Sequence, residues 1–186
     1  MSQISNLNTQ NKLIYDILKN YYYVNDYKNL EKIIPIINGQ SDISLRLIDW
    51  FVTNYAKEHF VTYKVNNSRF AVYLEYKLKL KSYKKRRFDP FCRWDRINMP
   101  YKDGLFVQTT IGQLNFFRWA LNNKIIDYIT SNKVEIEKDM NTRNNISQKN
   151  KSKDTNNKTR RKRNELSVSA VKTIKKENVE IVVKFD

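Results

Sequence analysis

Few residues in this chain are equipped for covalent chemistry. With one histidine, His59, and one cysteine, Cys92, most hydrolytic triads and His-rich metal centres lack parts. His59 lies between Glu58 and Phe60 at the junction of a predicted helix and strand, where a structural role is the simpler reading. Cys92 sits in Phe91-Cys92-Arg93-Trp94. Adjacent arginines favour a thiolate there, and the plainer alternative is a small buried hydrophobe. Carboxylates gather at Glu135, Glu137 and Asp139, but a spacing of two does not hold three groups on one helix face. Glycine-rich phosphate loops, dinucleotide fingerprints and metal-ligand spacings are missing from the sequence. The expectation is a protein that is not an enzyme and uses no cofactor or metal.

Positive charge is what the chain has in abundance. Its 186 residues carry 35 Lys and Arg against 19 Asp and Glu, a net charge of +16. Such a surplus attracts polyanions, either nucleic acid or an anionic membrane surface. The charge is concentrated. Residues 77–102 hold ten basic side chains against Asp89 and Asp95, and the rest of the first 140 residues balances at 12 of each sign. The last 46 residues add 13 basic and five acidic side chains.

In the central strip, Lys77, Lys79 and Lys81 share one face if the alternating pattern before them persists as a strand. Cations would then recur about every 7 Å, near the phosphate interval along a nucleic-acid strand. Lys84, Lys85, Arg86 and Arg87 follow without a break, then Arg93 and Arg96. Tyr83, Phe88, Phe91 and Trp94 alternate with these charges. Aromatics among cations can stack on exposed bases, but a core role is the better reading of them. The cations are read as polyanion contacts, because a merely soluble surface mixes both signs. A second basic run, Arg160, Arg161, Lys162 and Arg163, fits a nucleic-acid arm or a nuclear localisation signal.

These groups need a scaffold. Apolar residues at helical spacing predict a helix from Asn11 through Tyr22, and a second from Tyr27 to Ile34 that ends at Pro35. Ser41 or Asp42 can cap a third helix, whose Leu47, Ile48, Phe51, Val52 and Tyr55 form its buried stripe. Trp50 lies off that stripe and is expected to pack on a neighbouring element. Phe60 to Val65, the turn residues Asn66-Asn67-Ser68 and the alternation Phe70, Val72, Leu74, Tyr76, Leu78, Leu80 predict a β-hairpin. A second strand of this length should bend, or turn helical, near Tyr76. Residues 82–104 read as irregular and Leu105 to Thr109 as a third strand. Thr110 and Gln113 form a capping box for a helix bearing Leu114, Phe117, Trp119 and Leu121, and more helix follows from Ile125.

Beyond Asn141 aromatics vanish until Phe185, leaving a polar, lysine-rich stretch of linker composition. Val179 to Phe185 has a strand pattern and can add to a sheet edge, its own or a partner's. The organisation expected is a disordered lead over 1–10, a globular domain over 11–140, a basic flexible linker over 141–165 and a C-terminal segment over 166–186 ending in a strand. The fold class is α+β, with N- and C-terminal helices packed on a small antiparallel sheet and a basic low-complexity tail. The 24 aromatic residues argue against full disorder. A lone cysteine suits a reducing compartment. No secretory signal or membrane span is read.

Three stretches carry a resemblance: Ser44-Leu45-Arg46-Leu47-Ile48-Asp49-Trp50-Phe51-Val52-Thr53-Asn54-Tyr55, Phe88-Asp89-Pro90-Phe91-Cys92-Arg93, and Thr109-Thr110-Ile111-Gly112-Gln113-Leu114-Asn115-Phe116-Phe117-Arg118-Trp119-Ala120. Over roughly residues 42–130 the chain resembles a group of small basic proteins of nucleocytoplasmic large DNA viruses. The resemblance implies a setting, a viral factory or virion, and gives no residue a role. The scarcity of Gly and Pro beside abundant Asn, Lys, Ile and Tyr matches an AT-rich genome.

The function expected is non-catalytic nucleic-acid binding, DNA before RNA, led by phosphate contacts with little base specificity. It would act inside the cell, in a viral factory, virion or host nucleus, without a membrane partner. One alternative is a virion or scaffold protein whose basic strip and terminal strand bind acidic viral proteins. The other is a transcription or replication accessory factor using the helices between Gln113 and Ile129. The apolar second helix, with Asp127 in it, counts against that last reading.

Overall fold

A computed structural model describes residues 8–24, 26–153 and 176–178. The fold is α+β: among the described residues helices precede and follow two small antiparallel sheets, one of two strands and one of three, and the last strand of the second sheet comes after the final helix.

Helix α1 (Thr9–Tyr23) starts two residues earlier than the apolar pattern suggests, because the Asn8 side chain accepts a hydrogen bond from the Asn11 backbone N–H at 2.8 Å. It buries Ile14, Tyr15, Leu18 and Tyr22. Helix α2 (Lys28–Ile37) runs through Pro35 instead of ending there. Two more residues bring Ile36 and Ile37 into the core. Burying each is worth about 1.5–3 kcal/mol, which offsets the one bond the proline cannot donate.

Helix α3 (Leu45–Trp50) is capped by Ser44, whose hydroxyl accepts from the Leu47 N–H at 3.1 Å, and not by Ser41 or Asp42. It continues through a π-helical stretch, Phe51–Tyr55, into the short α4 (Ala56–Glu58). Leu47, Ile48, Phe51, Val52 and Tyr55 are buried as their spacing predicts. Trp50 does reach another element: its Nε1–H donates to Asp139 Oδ2 at 2.9 Å.

Strands β1 (Thr62–Val65) and β2 (Ser68–Ala71) form the expected hairpin. Its turn residues Asn66 and Asn67 both have positive φ, as two-residue hairpin loops require. The alternation beyond it is misleading. The chain turns helical at Val72, four residues before Tyr76, and α5 runs over Val72–Tyr83. Val72 and Tyr76, one turn apart, go into the core, while Leu74 and Leu78, assigned inward by a period of two, are left exposed. A 3₁₀ turn over Lys85–Arg87 follows.

Residues 96–100, expected to be irregular, form β3 (Arg96–Pro100), which pairs antiparallel with β4 (Leu105–Thr110) in the register Ile97↔Thr109 and Met99↔Val107. Arg96 to Pro100 does alternate exposed and buried residues as a strand should, but Asn98 and Pro100 are poor strand formers and weaken the signal. On the other edge of β4, β5 (Lys176–Asn178) pairs antiparallel with Leu105–Val107. The terminal strand expected over Val179–Phe185 lies outside the described residues.

Thr110 caps α6 (Ile111–Asn122), with its hydroxyl accepting from the Gln113 N–H. Helix α6 is buried along most of its length. Tyr22 of α1 donates to its Leu114 carbonyl at 2.8 Å. Helices α7 (Ile125–Ser131) and α8 (Lys133–Lys153) follow. Helix α8 continues well past Asn141, where composition alone suggests a linker.

Asp139 fastens α8 to the body. It accepts from Trp50, and from Arg143 Nε at 2.8 Å, with His59 Nε2 3.7 Å away. Burial works to raise its pKa, but the hydrogen bonds from Trp50 and Arg143 and the Arg143 charge outweigh that and hold it below the ordinary carboxylate value. A depressed folded pKa gives stability above the unfolded value, lost as pH falls through the folded one. Asp139→Ala is therefore expected to cost about 1–3 kcal/mol at pH 7. The gap from the parent should close below pH 3.8, the ordinary carboxylate value. Urea unfolding of both proteins at several pH values checks this.

Candidate nucleic-acid interface

Helix α5 ends at Lys84, whose backbone has φ 58° and ψ 161°, next to a region that only glycine enters freely. That kink throws Lys84 and the Lys85–Arg87 turn outward. The turn is then pinned from below. Phe88 is 1% exposed and packs among Tyr76, Tyr83, Phe116 and Trp119, with ring centroids 5.3–6.2 Å away.

Polar groups of the first turn of α6 hold the backbone on either side of Phe88. Asn115 Nδ2 donates to the Arg87 carbonyl at 2.9 Å, and Gln113 Nε2 to the Pro90 carbonyl at 2.8 Å. The Asp89 N–H donates to the Gly112 carbonyl at 3.2 Å. Gln113 does not complete the reciprocal half of a capping box, because its Oε1 accepts from the Thr109 hydroxyl at 2.8 Å. Gly112 is required by proximity: a Cβ there would lie 2.9 Å from the Arg86 carbonyl oxygen.

Asp89 is 1% exposed and is matched by a two-pronged contact from Arg93, Nε to Oδ2 at 2.8 Å and Nη2 to Oδ1 at 2.7 Å. Nearby Asp49 has its pKa raised by burial and by the Asp89 charge, against the pull of Arg93 and Lys85. Burial also pushes the Cys92 thiol up, outweighing Arg96. The thiolate-favouring effect expected of the adjacent arginines is thus overridden. The His59 ring lies 4.2 Å from that of Tyr55. Among the described residues no group of three or more His, Cys, Asp or Glu is placed to hold a metal ion.

The expected cations fall into different settings. Lys77, Lys79 and Lys81 lie on helix α5 and not on one strand face. At 100° per residue, Lys77 and Lys81 are 40° apart around the axis, and Lys79 points almost the opposite way. Lys84 and Lys85 are exposed. Arg86 is exposed and pairs with Asp95, and Arg87 Nε donates to Asn11 Oδ1 at 2.6 Å. Arg93 is committed to Asp89, and Arg96 Nη1 donates to Gln108 at 3.1 Å. Lys102, at the end of the strip, bridges Asp26 and Glu31 at 3.1 and 3.0 Å. Arg160, Arg161, Lys162 and Arg163 lie outside the described residues.

Of the aromatics among these charges, Phe88 is core, Tyr83 and Phe91 pack against it, and Trp94 is 42% exposed. The core reading therefore holds for three of the four.

One further cation, Arg118 of α6, lies outside the basic runs of the sequence. It lines, with Lys79, Tyr83, Asn115 and Asn122, a hollow of about 150 Å³ next to the basic turn. Its guanidinium also lies over the Tyr21 ring, 5.6 Å from the centre. Asn115, Arg118 and Asn122 recur at helical spacing on a helix that is mostly apolar apart from Gln113, and that polar stripe is the available signal. Among the described residues, no acid lines the hollow. Helix α6 is too buried to enter a DNA groove, and α7 commits Ile125 and Ile129 to the core. No helix among the described residues is long and apolar enough to cross a membrane.

The chain belongs to the Family of unknown function (DUF7197), whose model matches residues 3–184. It is similar to "Uncharacterized protein L507" of Acanthamoeba polyphaga mimivirus, at 42% identity over 128 residues, 64% of this chain and 49% of that protein. The match thus spans about half of the relative's length. No solved structure matches. A viral relative agrees with the viral family implied by the resemblance.

The clamp gives a direct expectation. Gly112→Ala should force the Arg86 carbonyl away and cost about 1–3 kcal/mol of stability, the usual range for overpacking. Urea midpoints for the two proteins measure it.

Proposed function

We propose that this family member is a non-catalytic nucleic-acid-binding protein that grips phosphates with little regard to base sequence, in the service of a virus. The observation that carries the reading is the run Lys84-Lys85-Arg86-Arg87, four consecutive cations on a turn fixed by α6. A strained lysine backbone is costly, and here it presents charge outward from a rigid base. Lys79 and Arg118 extend the same surface around the hollow.

Affinity at such a surface comes from counterion release and Coulomb attraction, which track phosphates and not bases. Tyr83 and Phe88 are engaged in packing with each other, rings 6.2 Å apart. These two rings offer no stacking platform of the kind single-strand binders use, which leaves Trp94 as the exposed aromatic of the strip. Arg160, Arg161, Lys162 and Arg163 would serve as an additional arm.

The test is fluorescence anisotropy with a random duplex, a single strand and polyglutamate over a series of salt concentrations. Log affinity for duplex should fall linearly with log salt. The double variant Lys84→Glu, Lys85→Glu should flatten that slope by about 0.9 for every phosphate it no longer neutralises. An unchanged slope, or tighter binding of polyglutamate than of duplex, would overturn the reading.

A further inference from the structure

Around a different side of α5 lies a surface with another character. A groove of about 770 Å³ runs between α4, the start of β1 and α5. Phe60 lines it, 84% exposed, with φ +48°, a conformation that bulky residues rarely adopt. Leu74, also in the lining, is 63% exposed, and Leu78 one turn further on is 57% exposed. Two large apolar side chains left in water in one concavity, with a third exposed one turn beyond it, mark an interaction site.

The rim has a definite sign. Lys57 and Arg69 line the groove, with Lys57 Nζ 5.9 Å from the centre of the Tyr73 ring. Lys77 and Lys81 follow Tyr73 and Leu74 along the same side of α5 by helical geometry, and both are exposed. Glu75 and Lys79 fall on the opposite side. Glu58, the acid in the lining, is turned toward Arg143 at 3.6 Å.

We infer that this groove docks an acidic amphipathic helical segment of a partner protein. Its apolar side chains would enter against Phe60 and Leu74, and its carboxylates would meet Lys57, Arg69, Lys77 and Lys81. The concavity suits inserted side chains better than a flat lipid surface. The chain's own last 46 residues, with 13 basic and five acidic side chains, share the sign of the rim. Docking here is independent of the nucleic-acid reading, which uses the other side of α5.

The probe is a labelled synthetic peptide of about 16 residues with Leu at i, i+3, i+4 and i+7 and Glu elsewhere on the polar face. Titrated with the full chain, it should bind saturably and more weakly as salt rises. Leu74→Ser with Leu78→Ser, both surface changes, should weaken binding about tenfold or more, with the circular dichroism spectrum unchanged. Lys77→Glu with Lys81→Glu should weaken it as well. A matched peptide with Lys in place of Glu should not bind. The inference is overturned if the lysine peptide binds as well as the glutamate one, or if the leucine pair has no effect. It also falls if the chain ignores the peptide and instead binds phosphatidylserine vesicles through those leucines.

Discussion

The first turn of α6 grips the backbone of residues 86–90, and the geometry of the basic surface depends on that grip. Four adjacent cations repel one another. Between solvated neighbours such repulsion is about 1 kcal/mol or less per pair, and salt weakens it further. Against it stand hydrogen bonds from Gln113, Asn115 and the Asp89 N–H, each worth about 0.5–1.5 kcal/mol. Burial of Phe88 among four aromatic rings adds about 1.5–3 kcal/mol. The clamp wins, so the charges stay together. Gly112 makes this possible, because the carbonyl of Arg86 occupies the space a side chain would take.

That arrangement divides the cations by task. Arg93 balances the buried Asp89 and Arg87 reaches Asn11, so these two act on the fold. Removing Arg93 would leave Asp89 buried and unpaired, which is costly. Lys79, Lys84, Lys85 and Arg118 remain to face a ligand. The helical twist of α5 makes a further division, placing Lys79 at the hollow and Lys77 and Lys81 on the opposite side, the side that carries Leu74. The two proposed surfaces thus sit on different sides of one helix. A chain so built would join a polyanion to an acidic partner.

Much of this is legible in the residues. The Asn66-Asn67 turn, the Thr110 cap and the buried stripe from Leu47 to Tyr55 follow from local chemistry, and the structure contains them. Phe88 as a core residue is also readable. Helix α5 is not, because its apolar residues satisfy two periods at once. Phe70 through Leu80 alternates perfectly, while Val72, Tyr76 and Leu80 are equally one helix face. Packing of Tyr76 and Tyr83 on Phe88 decides between them, and the sequence pattern carries no trace of it. Similarly, Asp89 and Arg93 stand four apart, but in a segment without helical periodicity that spacing gives no hint of a buried pair. Arg118 is hidden by its apolar neighbours.

If the clamped turn is where nucleic acid is met, the backbone there must sense the ligand. Amide chemical shifts of isotopically labelled full-length chain, followed as a random duplex is titrated in at low salt, test this most directly. Shifts are expected at Lys79, Lys84 to Arg87 and Arg118, with the residues around Phe60 and Leu74 unmoved. Shifts confined to the α1–α2 face or to the apolar groove, or none at saturating duplex, would contradict it.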